Sequence, residues 1–93
     1  MTPEGKVKAL VKKVLSSHEA YYHMPVQSGL GAPTLDFIGC HKGRYFAIET
    51  KAPGKKPTER QMLTMGAIRD AGGAVFVVDG ETSLATLEQW LVK

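Results

Sequence analysis

The sequence predicts a single α/β domain with the element order αβββαβα, and three observations carry that prediction. Apolar residues recur at helical spacing in three segments, runs of strand length rich in β-branched and aromatic residues lie between them, and Gly, Pro or capping residues punctuate the junctions. The length of 93 residues suits one domain and excludes a second. With 43% hydrophobic and 23% charged residues, the composition is that of a folded globule and not of a disordered chain.

Taken in order, Thr2 reads as an N-cap and Pro3 as a first-turn residue, and Val7, Leu10, Val11, Val14 and Leu15 follow at helical spacing. Lys6, Lys12 and Lys13 fall on the opposite side. Tyr21 to Val26 reads as a strand ending in the loop Gly29-Leu30-Gly31-Ala32-Pro33. That loop has neither the spacing of a dinucleotide fingerprint nor the end of a P-loop, so no nucleotide cofactor is expected. Thr34 to Gly39 and Arg44 to Thr50 read as antiparallel strands joined by a tight turn at Lys42-Gly43, where Gly supplies the positive φ of a hairpin.

Pro53 and Pro57 then flank a basic loop. Thr58 opens a second helix through Met62, Met65 and Ile68, which stops at Gly72-Gly73. Ala74 to Val78 is nearly all apolar and reads as a strand buried in the sheet. Asp79-Gly80 turns into a third helix, capped at Thr82 or Ser83 and burying Leu84, Leu87, Trp90 and Leu91. The helices are expected to cover both faces of the sheet, or one face plus a subunit interface. A domain of this size buries only about 60% of its unfolded surface, so a partner subunit would add stability.

Composition narrows the function classes. The apolar stretches fall short of the ~20 residues that span a bilayer, and the N-terminus lacks the apolar core of a signal peptide. A single cysteine, Cys40, suits a reducing cytoplasm, and His23, Cys40 and His41 lack zinc-site spacing. The expectation is a soluble cytoplasmic protein. The net charge of +3 is uneven: residues 41–60 carry six Lys/Arg against two acids, whereas residues 61–93 carry two against four. A phosphate-backbone partner needs such a basic stretch, although a solvated surface also explains it.

The central hairpin carries the chemistry. If Lys42-Gly43 is a two-residue turn, facing positions sum to 85 and Asp36 lies across from Glu49. Alternation then puts Lys51 on the face of Glu49, while Phe46, Ile48, Leu35 and Phe37 point the other way into the core. Two carboxylates directly opposed in a sheet repel, and a divalent cation would compensate them. Mg²⁺ takes carboxylate and carbonyl oxygens and keeps several waters, so the Thr50 carbonyl is a third candidate ligand. A solvated strand surface with Glu49 and Lys51 paired is the alternative.

Glu4 lies on the inward edge of the first helix, where the helix dipole favours a Glu without any metal. Thr58-Glu59-Arg60-Gln61 has the form of a capping box, so Gln61 reads both as a cap and as support for the site. His41, Arg44, Lys55, Lys56 and Arg60 are candidate phosphate contacts. No serine, and not Cys40, has a recognisable nucleophile context, which disfavours covalent catalysis.

Gly31-x-Pro33-x-x-Asp36, Glu49-Thr50-Lys51, Gln61 and Gly72, after a helix carrying Glu4, resemble the virus-type replication-repair nuclease (VRR-NUC) branch of the PD-(D/E)xK nuclease superfamily. The likeness runs from about Glu4 to Asp79. The usual adjacent Pro-Asp is here Pro33-Thr34-Leu35-Asp36. The resemblance implies a restriction-endonuclease-like αβββαβ core, with a mixed sheet flanked by helices and a C-terminal helix added, over the whole of residues 1–93. It implies Asp36, Glu49 and the Thr50 carbonyl as ligands of Mg²⁺ or Mn²⁺, Lys51 as the residue that positions or activates water, and Glu4 and Gln61 as accessory residues. The activity implied is phosphodiester hydrolysis, as in DNA repair, and small stand-alone members look like homodimeric Holliday junction resolvases. A non-catalytic nucleic-acid-binding module, a flap- or duplex-directed nuclease and a sequence-specific restriction-like enzyme are the alternatives.

Overall fold

The computed structural model of the chain describes residues 1–26 and 33–93. The elements are α1 (Pro3–Ser17), β1 (Tyr21–His23), β2 (Phe37–His41), β3 (Arg44–Thr50), α2 (Glu59–Asp70), β4 (Ala74–Val78) and α3 (Glu81–Leu91). Strands are ordered β1-β2-β3-β4, antiparallel except for the parallel β3–β4 pair, so the sheet is mixed. The expected element order and sheet type are thus observed.

The Lys42-Gly43 turn explains the register. Both residues have positive φ, 54° and 77°, as a two-residue type I′ hairpin requires. Phe37 therefore faces Ile48 and His41 faces Arg44. Gly39 sits where a side chain has no room, since an added Cβ would meet the Tyr21 carbonyl at 2.1 Å and the Phe46 ring at 2.5 Å. The glycine lets β1 and the Phe46 ring close on β2.

The helices cover both faces of the sheet. Val7, Val11 and Leu15 of α1 and Leu87 and Leu91 of α3 pack on Phe37, Phe46, Ile48 and Val78. On the other face Met65 of α2 packs with Leu35 and Ala47, flanked by Ile38, Ile68, Val75 and Val77. Thr2 caps α1 through its hydroxyl, which accepts from the Gly5 N–H at 3.0 Å.

Four expectations are corrected. β1 stops at His23 and does not reach Val26; Pro25 has no N–H for a ladder, and β2 begins only at Phe37. β2 runs from Phe37 to His41 and not from Thr34 to Gly39, because the chain bends at Asp36. The bend interrupts alternation and sends Leu35 to the α2 face, away from Phe37. Among the described residues β4 lies at the edge of the sheet, and only Val78 in it is fully buried; its apolar run serves two helix-covered faces. Finally, α3 starts at Glu81 without a side-chain cap. Ser83 instead bridges back, its hydroxyl accepting from the Asp79 N–H at 3.0 Å and donating to Asp79 Oδ1 at 2.9 Å. The Gly29 to Ala32 loop lies outside the described residues. No helix of the described residues is long and apolar enough to cross a membrane.

Candidate active site

The end of the hairpin away from its turn collects the charged side chains. Continuing the register one step past Phe37 and Ile48 sets Asp36 across from Glu49. The bend at Asp36 removes the backbone partner that a longer β2 would offer Thr50. Asp36 Oδ2 takes that place, accepting from the Thr50 N–H at 3.0 Å and from Thr50 Oγ1 at 2.7 Å. The N–H and C=O of one strand residue leave the same side of the strand, so the Thr50 carbonyl looks toward the edge where Asp36 stands.

Glu49 is 3% exposed, a burial that a carboxylate tolerates only when its oxygens are satisfied. One oxygen is. Oε2 accepts from Gln61 Nε2 at 2.9 Å and lies 3.6 Å from Lys51 Nζ. The other, Oε1, is buried without a hydrogen-bond partner. Burial, and next the charge of Asp36, push the Glu49 carboxyl up to about 7 against the opposing pull of the Lys51 charge and of the Asp36 backbone N–H.

Gln61 serves two purposes at once. Its N–H and side-chain oxygen close the capping box with Thr58, at 3.2 Å and 2.9 Å, while its amide nitrogen donates to Glu49. The cap therefore sets the position of a Glu49 partner. Thr58→Ala should lower stability by about 1 kcal/mol in urea unfolding, as loss of an N-cap does. It should also slow any reaction that depends on Glu49, whereas Thr86→Ala, an exposed hydroxyl on α3, should not.

From α1, Glu4 reaches the site indirectly. Its Oε2 holds Lys8 Nζ at 2.6 Å, and the same ammonium lies 3.8 Å from Asp36 Oδ2. Sequence reasoning missed Lys8. The signal available was its place one turn after Glu4, where an acid and a base pair on a helix surface; which residue lay beyond it depended on how α1 crosses the sheet. Burial pulls the Lys8 ammonium down, but the Glu4 hydrogen bond and the charges of Asp36, Glu4 and Glu49 outweigh it and raise its pKa.

His41 and Arg44, two of the candidate phosphate contacts, are not brought to this site. They flank the turn, roughly 17 Å from Glu49 at about 3.3 Å per residue. His41 is buried, with Nε2 2.9 Å from the Leu91 carbonyl. Arg44 donates to the Trp90 carbonyl at 3.2 Å and lies 4.0 Å over the Trp90 ring. Both side chains fasten the C-terminus of α3, where the helix dipole favours the Arg44 guanidinium. Lys55, Lys56 and Arg60 are exposed in the loop and first turn that follow Lys51, on the same end of the sheet as the carboxylates.

Among the described residues no three His, Cys, Asp or Glu side chains form a ready metal cluster. Asp36, Glu49 and the Thr50 carbonyl nevertheless form an all-oxygen set, sparse in the way Mg²⁺ accepts because it retains waters. The buried, unpartnered Oε1 of Glu49 is the feature that a hard cation would satisfy. These residues fit such an ion.

Among solved structures, one described as a VRR_NUC domain matches this chain with a TM-score of 0.82 at 21% sequence identity, covering 96% of this chain and 97% of that one. The sequence matches no family model and no curated protein. Among the described residues, the mixed four-stranded sheet with three helices has the restriction-endonuclease-like fold of a VRR-NUC domain.

Proposed function

We propose that this chain, which has the VRR-NUC fold, is a metal-dependent, structure-selective DNA endonuclease acting as a homodimer on branched DNA, with the four-way junction as its favoured substrate. The observation that carries the reading is the buried Glu49 oxygen without a partner, beside Asp36 and within reach of the Lys51 ammonium. A structural ion pair would have satisfied both oxygens of a carboxylate so deeply buried.

Asp36, Glu49 and the Thr50 carbonyl would hold Mg²⁺ or Mn²⁺. Such an ion, when bound, polarises a phosphoryl oxygen and lowers the pKa of its water. The protein's own contribution is to fix and charge the surroundings. Thr50 and Gln61 hold the two carboxylates in place through hydrogen bonds of 2.7 to 3.0 Å. Lys51, anchored on Glu49 and largely sheltered from solvent, presents a positive charge to the attacking water and to the charge that grows on the phosphoryl oxygens. Glu4 acts through Lys8. Lys55, Lys56 and Arg60 bind the DNA backbone by charge.

A four-way junction requires paired incisions on two strands, and a two-fold dimer presents two identical sites at a fixed separation. The test is cleavage of labelled four-way junction, flap and linear duplex DNA with Mg²⁺, Mn²⁺ or EDTA, wild type against Glu49→Ala. Symmetric metal-dependent junction cuts that vanish in the variant support the reading. Flap or duplex cuts keep the nuclease and change its substrate, and binding without any cleavage indicates a non-catalytic module.

Salt dependence separates the basic residues. Substituting Lys55, Lys56 or Arg60 by Ala should each reduce the slope of log K against log [salt] by about one. Arg44→Ala should leave the slope unchanged, because its guanidinium is spent on α3. An equal loss of slope in Arg44→Ala would place DNA at the hairpin turn instead.

A further inference from the structure

We infer that Lys8 is a resident counter-cation of the carboxylate site, occupying with its ammonium the charge position beside Asp36 that a divalent ion would neutralise, and so setting how tightly that ion binds. The inference rests on the metal-dependent reading above and adds a residue to it.

Lys8 lies on α1, one turn after Glu4. Its Nζ lies 2.6 Å from Glu4 Oε2 and 3.8 Å from Asp36 Oδ2, so it is shared between two carboxylates on different elements. An ordinary helix pair with Glu4 would leave the ammonium in solvent, where such pairs contribute little. Lys8 instead has a side chain only 29% exposed, and Asp36, at 13%, is more sheltered still. Shielding from water strengthens the interaction between these charges.

Lys8 and Lys51 also divide the site between them. Lys51 approaches Glu49 from the end of β3 and Lys8 approaches Asp36 from α1. Without a divalent ion, these two ammonium groups are the cations that the described residues set against Asp36 and Glu49. They are not equivalent, because Glu4 gives Lys8 a second carboxylate partner to which it can withdraw. Lys8 can therefore leave Asp36 without losing every charge partner. Its flexible four-carbon stem and its position on a helix surface allow that movement, whereas Lys51 is tied to the strand that supplies Glu49.

Two effects of removing Lys8 follow, and they have opposite signs. The metal-free protein loses a counter-charge and becomes less stable. The site also loses a competing cation and binds a divalent ion more tightly. A merely structural surface pair produces neither coupling: its removal would shift stability by the same amount with and without metal.

The experiment is Mn²⁺ binding by calorimetry at pH 8, with thermal unfolding of the same samples in EDTA and in saturating Mn²⁺, for wild type, Lys8→Met and Lys8→Gln. The second variant retains a polar group for Glu4 if the first fails to fold. The expected result is Mn²⁺ affinity raised about tenfold in the variants, together with a lower Tm in EDTA that returns to the wild-type value in Mn²⁺. Unchanged affinity, or a Tm deficit equal in both conditions, overturns the inference while leaving the metal-dependent reading intact. Weakened Mn²⁺ binding overturns it as well, since Lys8 would then support the bound state. If wild type binds no Mn²⁺, both this inference and the reading beneath it fail.

Discussion

Lys51→Ala is expected to reduce cleavage of a four-way junction by about 10²–10³-fold, the range seen when one positioned donor to a developing oxyanion is lost, while junction binding stays within a few-fold of wild type. The separation follows from where Lys51 stands. Its ammonium is 3.6 Å from Glu49 Oε2, and its side chain is only 14% exposed, so it is poorly placed to act as one of many backbone contacts. Under the proposed function that task falls to Lys55, Lys56 and Arg60, which are exposed. The fold should survive the substitution, because Glu49, already pushed up by burial and by Asp36, protonates when its cation is removed. Binding measured by gel shift and cleavage measured on the same junction decide the matter. Equal loss of both would make Lys51 a DNA contact, and retained cleavage would remove it from the chemistry.

The second large effect concerns stability and pH in the metal-free protein. The Glu49 carboxyl is raised from 4.5 to about 7 in the folded chain, so the folded state holds a proton that the unfolded state releases. Its contribution to stability is then fully present below about pH 4.5 and is lost as pH rises through about 7. At 1.36 kcal/mol per pH unit this amounts to on the order of 3 kcal/mol. Glu49→Gln removes the titration, so subtracting the variant's urea-unfolding profile from that of wild type cancels the histidines and other carboxylates. The difference should fall between pH 5 and pH 8 in EDTA, with the variant the more stable protein at pH 8. Under the proposed function Mn²⁺ would stabilise the ionised carboxyl and should flatten the wild-type profile. A flat difference in EDTA would mean that Glu49 is better solvated than its surroundings indicate.

Both predictions concern residues that could be found by counting along the chain. The tight turn at Lys42-Gly43 fixes a facing sum of 85, and the observed pairing of Phe37 with Ile48 obeys it; Asp36, Glu49 and Lys51 were legible for that reason. Gln61 was legible as a cap from Thr58, and the geometry lets one amide act as cap and as Glu49 partner together. Other features were not legible locally. His41 and Arg44 have the composition of phosphate contacts, yet the Leu91 and Trp90 carbonyls at the end of α3 claim them. Those partners lie more than forty residues away in sequence, a distance over which spacing carries no information.

Local rules were decisive wherever a residue's conformation depends on its neighbours. Capping by Thr2 and Thr58, the two-residue turn and the period of apolar positions are short-range effects, and they determined the element order, the hairpin register and the two opposed carboxylates. Tertiary structure decided what lies between elements. It bent the chain at Asp36 so that Leu35 turned toward α2, left β4 at the sheet edge, and carried Lys8 across to Asp36. The physical reason is that a side chain's partner across a helix–sheet contact is set by how whole elements pack, through the summed burial of many residues. The burial that leaves Glu49 with an unsatisfied oxygen is of that kind, and it is the property on which the proposed chemistry depends.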